Sequence, residues 1–305
     1  ILMELREAIP QPSLVKDLRW EDIYEEICDI QKLTHKVYIG DSEKVLKEIK
    51  DKSVDLIITS PPYFGETYEI EKDQWKSYEE YLEKLERIFR ECYRVLRPGR
   101  YALIVVSPVS IYKSKHYPLS ADIIRVLIEV GFDYRYELHW RKQSTVGKGA
   151  GRFLRERKAS EFTPNLNEEN IIVVRKEGGW KSKYTYKQEF IKEKLRDYLN
   201  QGIDVPINIS NRYHQFEFPE LLAELLVLLY SDPGDTVLDC FAGAGTIGAV
   251  CRRLFRNSIQ IERNPSYLDV IRRRLLEDCE IIQWNEKSDK RIVLAKYLDV
   301  EIEYK

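Results

Sequence analysis

The sequence predicts an α/β fold: one mostly parallel sheet with helices on both faces. Three observations carry this. The run Val54-Asp55-Leu56-Ile57-Ile58-Thr59 is apolar and β-branched, as expected of a strand buried on both faces. Amphipathic stretches alternate with such runs, most clearly over 77–96, where Tyr78, Leu82, Leu85, Ile88, Phe89, Cys92 and Leu96 keep a helical spacing. Finally, Val237-Leu238-Asp239-Cys240 runs straight into a glycine-rich turn and a helix.

Taken in order, residues 1–35 read as an N-terminal helical appendage, with Trp20, Ile23, Ile27 and Ile30 near helical spacing. Val37-Tyr38-Ile39 is a short strand, 45–49 a helical segment, and 54–59 the buried strand. Pro98-Gly99 stops helix 77–96. Strand 101–106 follows, then helix 120–130 ended by Gly131, then strands 132–140 and 171–175 separated by a loop rich in glycine and basic residues. Residues 176–212 break the rhythm and read as a small variable segment. The rhythm resumes with helix 219–230, strand 236–240, helix 245–255, strand 258–262 and helix 265–277, and the tail 281–305 ends in a strand or two. The expected division is therefore 1–35, then two halves of one domain at 36–175 and 213–280 around the variable segment, then the tail.

Bulk properties narrow the class. With 305 residues, 43% of them hydrophobic, the chain can bury a full core. No apolar run reaches the roughly 20 residues that span a bilayer, and Ile1 to Arg19 lack a signal-peptide pattern, so a cytoplasmic protein without membrane contact is expected. The 49 Lys and Arg against 51 Asp and Glu give a net charge of −2, so a polyanionic partner would need a local basic face. The 5 cysteines are scattered and the 4 histidines form no ligand cluster, which suits a reducing compartment and predicts no metal. Charged residues at 33% beside a single Met match the bias of hyperthermophile proteins.

In Asp239-Cys240-Phe241-Ala242-Gly243-Ala244-Gly245-Thr246, glycines let the backbone approach a ligand, and the following helix offers free N–H groups. Glu262 closes the next strand, where a carboxylate can accept from both hydroxyls of a ribose. Gly243-x-Gly245-x-x-Gly248 also fits a dinucleotide fingerprint, so a nicotinamide-dependent oxidoreductase competes at this point.

The segment Ser60-Pro61-Pro62-Tyr63 follows the buried strand directly. Two prolines remove two donors and stiffen the backbone, leaving carbonyls aimed outward at the carboxyl end of the sheet. The Ser60 hydroxyl and Pro61 carbonyl can accept the two hydrogens of an exocyclic base amine, turning its lone pair toward an electrophile. Tyr63 can stack on the base, which must be flipped or unpaired.

With these blocks the chain resembles the amino methyltransferases of nucleic acids, the N4-cytosine and N6-adenine group, in the beta arrangement. Its catalytic block, Thr59-Ser60-Pro61-Pro62-Tyr63, precedes its cofactor loop, Asp239-x-Phe241-x-Gly243-x-Gly245-Thr246. Gly40-Asp41-Ser42, Leu96-Arg97-Pro98-Gly99-Arg100 and Phe218-Pro219-Glu220-Leu221-Leu222 also resemble family blocks, over about 36–277. The resemblance implies a class I, Rossmann-like methyltransferase: seven strands in the order 3-2-1-4-5-7-6, one antiparallel near the edge, with the motif order circularly permuted. It makes 36–175 the catalytic half and 213–280 the cofactor half. It implies S-adenosyl-L-methionine as cofactor, held by Asp41, Ser42, Thr59, Ser60, His214, Phe216, Phe218, Pro219, Asp239, Phe241, Gly243, Gly245, Thr246 and Glu262, with catalysis by Ser60, Pro61, Pro62 and Tyr63. In this family Ser-Pro-Pro-Tyr goes with cytosine N4 and Asp-Pro-Pro-Tyr with adenine N6, so Ser60 implies cytosine, with adenine as the alternative. Cys240 departs from the family's usual proline.

Nucleic acid is expected to meet Arg141, Lys142, Lys148, Arg152, Phe153, Arg155, Arg157 and Lys158, where basic residues surround a possible stacking ring. Lys181, Lys183, Tyr184, Tyr186 and Lys187 form a second candidate. Resemblance points to DNA. The short variable region keeps structured RNA open, since RNA can be recognised by shape. A monomer or homodimer is expected. C5-cytosine chemistry is disfavoured, because no cysteine follows a proline.

Overall fold

The computed structural model describes residues 33–65, 75–113, 115–143, 168–182, 202–206, 219–277, 283–285, 291–293 and 298–304. The elements are β1 (Leu33–Ile39), α1 (Ser42–Val45) with a 3-10 turn over Leu46–Glu48, β2 (Val54–Thr59), α2 (Tyr78–Val95), β3 (Leu96–Val106), a hairpin of β4 (Ser110–Tyr112) and β5 (Lys115–Tyr117), and α3 (Leu119–Val130). Then come β6 (Asp133–Gln143), β7 (Glu168–Arg175), β8 (Ile203–Pro206), α4 (Glu220–Tyr230), β9 (Thr236–Asp239), α5 (Thr246–Arg253), β10 (Asn257–Glu262), a 3-10 turn over Pro265–Tyr267, and α6 (Leu268–Glu277). A small hairpin of β11 (Gln283–Asn285) and β12 (Arg291–Val293) precedes β13 (Leu298–Tyr304).

Nine strands make one sheet in the order β13-β1-β10-β9-β2-β3-β7-β6-β8. Counting from β9, the inner seven reproduce the expected order 3-2-1-4-5-7-6. Only β7 is antiparallel to its neighbours, β3 and β6. The differences lie at the margins. β8 adds an unexpected strand beside β6, and β13 pairs with β1 in parallel. β1 begins at Leu33, inside the stretch read as the helical appendage; residues 1–32 lie outside the described ones.

Burial explains the layers. All six residues of β2 are buried, and its apolar side chains are shared between two cores. Ile57 joins α2 and α3, whose Tyr81, Leu85, Ile88, Phe89, Ile123 and Leu127 cover one face. Leu56 and Ile58 join α4 and α5 on the other face, through Leu222, Leu226, Ile247 and Val250. Val37 and Ile39 of β1 meet Ile271 and Leu275 of α6. Helix α2 starts where Ser77 Oγ accepts from the Glu80 N–H at 3.1 Å, as an N-cap serine does. It ends at Val95, and the chain turns at once into β3. Pro98-Gly99 therefore lies in a bulged start of β3, where the pairing with β2 shifts, instead of terminating the helix. Among the described residues, no helix is long and apolar enough to cross a membrane.

Candidate active site

Because β1, β10, β9, β2 and β3 run parallel, their carboxyl ends share one edge. That edge gathers Asp41 and Ser42 after β1, Glu262 at the end of β10, the loop 240–245 after β9, and Ser60 to Gly65 after β2. Hydrogen bonds stitch these pieces together. Ser42 Oγ donates to the Cys240 carbonyl at 2.5 Å. Thr59 Oγ1 donates to Asp239 Oδ1 at 2.7 Å, and the Phe241 N–H donates to the same oxygen at 3.1 Å. The Gly243 N–H donates to Glu262 Oε2 at 2.7 Å, and the Asn264 N–H to Oε1 at 2.7 Å.

The glycine loop takes its shape from its residues. Gly245 caps α5 with φ +77°, a left-handed conformation open to glycine at little cost. Gly248 serves packing: a Cβ there would lie 2.0 Å from Gln260 Nε2, so the missing side chain lets α5 press onto β10. Gly243 faces the other way, and a Cβ on it would meet no atom within 4 Å. The loop therefore leaves open space beside the half-buried Glu262. The Glu262 carboxylate, the open face of Gly243 and the half-buried Phe241 border one space, and a carboxylate beside a ring there fits a nucleoside such as that of S-adenosyl-L-methionine.

Electrostatics sort the carboxylates. Asp239 is buried, and burial lifts its carboxyl to about 6 even though Thr59 and Phe241 pull it down. Asp41 caps α1 through the Glu43 N–H. Burial pushes its carboxyl up, but a 2.7 Å ion pair with Lys84 of α2 outweighs this, and with the Glu43 amide and Arg263 it holds the group below its ordinary value. Lys84 was not singled out from sequence; it lies on the polar side of the α2 stripe.

A second missed residue is Arg274 of α6. It is buried, donates to Thr246 Oγ1 at 3.0 Å and to the Ala244 carbonyl at 3.3 Å, and pairs with Glu220 at 2.6 Å. Arg253 also pairs with Glu220, at 2.8 Å. The start of α4, with Pro219 buried just before it, is thereby tied to the glycine loop. His214, Phe216 and Phe218 lie outside the described residues. The ends that flank them, β8 parallel to β6 and the start of α4, are both described.

In the catalytic segment Ser60, Pro62 and Tyr63 are half-buried and Pro61 is buried. Tyr63 packs against the core that holds Phe64, the neighbour that sequence reasoning passed over. Cys240, in place of the family's proline, is buried with its Sγ 3.5 Å from Thr59 Oγ1 and 3.9 Å from Cys92 Sγ.

The basic segment after β6 leaves from the catalytic edge, since β6 lies parallel to β3 across β7. Of its proposed contacts, Arg141 and Lys142 are described and half-buried. Lys142 pairs with Glu169 of β7 and lies 5.2 Å from the Trp140 ring, so its charge is engaged within the sheet. Lys148, Arg152, Phe153, Arg155, Arg157 and Lys158 lie outside the described residues. The second stretch departs from the opposite edge, because β7 is antiparallel. There Gly178 and Gly179 press on Pro98 and Gly99, and Lys181 is exposed. Lys183, Tyr184, Tyr186 and Lys187 lie outside the described residues.

Comparison with known proteins agrees with this geometry. Residues 54–273 match the N6/N4 methyltransferase family, described as DNA methylase. The chain is 30% identical over 292 residues to the Type II methyltransferase M.MthZI of Methanothermobacter thermautotrophicus, covering 82% of this chain and 79% of the relative. Among solved structures it is similar to TTHA0409 of Thermus thermophilus complexed with S-adenosyl-L-methionine, with 29% identity, TM-score 0.64, and coverage of 88% of this chain and 98% of the other. It also shares the fold of the PvuII DNA methyltransferase (cytosine-N4-specific), at 20% identity, TM-score 0.63, and coverage of 80% and 89%.

Proposed function

The chain belongs to the N6/N4 DNA methylase family, whose members are S-adenosylmethionine-dependent methyltransferases, and from that premise we propose that it methylates the exocyclic N4 amine of cytosine in DNA. The observation that carries the proposal is Ser60, which opens Pro-Pro-Tyr at the end of β2, one residue from the bond between Thr59 and Asp239.

The cytosine amine is a poor nucleophile because its lone pair is delocalised into the ring. The Ser60 hydroxyl and the Pro61 carbonyl accept its two hydrogens and favour a tetrahedral nitrogen with an available lone pair. Proline fixes φ, so these acceptors are pre-organised and little is lost in orienting them. Tyr63 stacks on a base taken out of the helix. Glu262 would hold the ribose hydroxyls of the cofactor, and Asp41 and the stretch from Phe241 to Gly245 would hold the rest of it. Bound S-adenosylmethionine supplies an electrophilic methyl carbon.

The nicotinamide reading of the glycine loop is set aside by the family match. The same match favours DNA over structured RNA as substrate. Mass spectrometry of nucleosides from DNA and RNA, each incubated with the protein and labelled S-adenosylmethionine, tests base, atom and polymer together. N4-methylcytosine in DNA is expected. N6-methyladenine, or label confined to RNA, would overturn the proposal.

A further inference from the structure

Beyond the loops described above, one exposed element is built directly onto the catalytic segment: the β4–β5 hairpin. Its inward side grips Phe64, which is only 3% exposed. The Phe64 ring meets Tyr112 at 5.1 Å and Tyr117 at 5.2 Å, both edge-on, and Tyr78 of α2 at 5.2 Å. Ser110 Oγ donates to the Phe64 carbonyl. Gly65, at φ +83°, passes so close that a Cβ on it would lie 2.7 Å from the Tyr112 Cβ. Hairpin and catalytic segment are thus held as one unit by rings, a buried hydrogen bond and backbone contact.

The outward side has a different character. Ile111 pairs with His116 across the hairpin, and Ile111 is 47% exposed. Lys113, Lys115 and His116 are exposed, and residues 107–118 contain no acid. The lysines lie over the hairpin's own rings, Lys113 at 5.0 Å from Tyr112 and Lys115 at 4.9 Å from Tyr117, which leaves their ammonium groups open to solvent anions. Glu79, exposed at the start of α2, has its carboxyl lowered first by backbone and Ser77 hydrogen bonds and to a lesser degree by Lys115. A protein of net charge −2 must meet a polyanion through local positive surface.

We propose that the β4–β5 hairpin is a DNA-backbone contact, in which Lys113 and Lys115 bind phosphates flanking the target base while Phe64 holds the catalytic segment in fixed relation to them. The inference rests on the reading that DNA is the substrate.

The test is the salt dependence of binding to a mixed-sequence DNA duplex, followed by fluorescence anisotropy. Each phosphate contact contributes about 0.9 to the slope of log affinity against log salt. Lys113→Ala/Lys115→Ala should therefore flatten the slope by about 1.8, roughly a tenfold smaller loss between about 50 and 200 mM salt. Lys113→Gln/Lys115→Gln, which keeps the aliphatic stems on the rings, should do the same. S-adenosylmethionine binding by calorimetry should stay at the wild-type value in both. Lys47→Ala/Lys50→Ala, a charge-matched pair leading into β2 at the opposite edge, should keep the wild-type slope. An unchanged slope in the hairpin variants, or an equal loss in the Lys47/Lys50 control, overturns the hairpin assignment. A wild-type protein without salt-dependent DNA binding is a different outcome, and it overturns the DNA reading itself.

Discussion

Thr59 and Asp239 are joined by a 2.7 Å hydrogen bond between adjacent parallel strands, although 180 positions separate them in the chain. The bond sets the end of the catalytic strand against the start of the cofactor loop. Thr59→Val keeps the shape and removes the donor to a buried carboxylate. It should lower the unfolding free energy by about 1.5–3 kcal/mol, with weaker S-adenosylmethionine binding, while Thr59→Ser stays near wild type. Urea unfolding and calorimetry check this. Equal behaviour of the valine and serine variants would show that the bond does not matter.

The pH dependence of stability should carry two opposed contributions. Burial raises the Asp239 carboxyl from 3.8 to about 6. Between those values the folded chain holds a proton that the unfolded chain has released, so stability falls as pH rises. Burial, with Arg252 adding to it, lowers the His35 imidazole from 6.5 to about 3. There the unfolded chain binds a proton that the folded chain excludes, so stability falls as pH falls. Asp239→Asn should be the more stable protein above pH 6, by on the order of 3 kcal/mol, with the gain gone below pH 4. His35→Asn should gain on wild type as pH drops from 6.5. Chemical unfolding from pH 4 to 8 measures both; difference curves flat with pH would contradict the assignment.

Ser60→Ala and Tyr63→Ala separate chemistry from cofactor binding. Losing one acceptor on the reacting amine in Ser60→Ala, or the stacking ring in Tyr63→Ala, should reduce kcat by about 10- to 100-fold, with S-adenosylmethionine affinity within about twofold. Wild-type turnover in both variants would sink the proposed roles of this segment.

The contact of Gly248 with Gln260 can be tested by relief. Gly248→Ala places a methyl group against the Gln260 amide, and should cost about 1–3 kcal/mol as an overpacked core does. The Gln260 side-chain oxygen and nitrogen are buried without a hydrogen-bond partner, so Gln260→Ala opens room at small polar cost. The double variant should recover most of the loss, and additive losses in thermal unfolding would refute the steric account.

The inner seven strands were legible because each carries a signal of its own: buried apolar runs, amphipathic helices between them, and motif blocks whose order dictates adjacency. β8 was not. Ile203-Asp204-Val205-Pro206 is too short to show a period, and it becomes a strand because β6 offers it an edge and Trp140 Nε1 donates to the Val205 carbonyl at 2.9 Å. In the candidate site, Gly245 was readable because the turn needs a left-handed residue, and Asp239 and Glu262 because they close strands of the sheet on either side of the loop. Lys84, Arg274 and Phe64 were not, since each acts through a partner far away in sequence: Asp41, Glu220 and the hairpin tyrosines. Lys142 was singled out from a basic run, but its partner Glu169 on the neighbouring strand was not visible there.

The pairing of β2 with β9 has a consequence during synthesis. At about 5–20 residues per second, the 180 positions from Thr59 to Asp239 take roughly ten to thirty-five seconds to emerge from the ribosome. Throughout that interval one edge of β2, a strand destined for complete burial, has no partner to pair with, and the methyl-donor loop does not exist. A nascent chain therefore cannot transfer a methyl group before its second half has docked, and for those seconds it carries an unpaired strand edge open to aggregation.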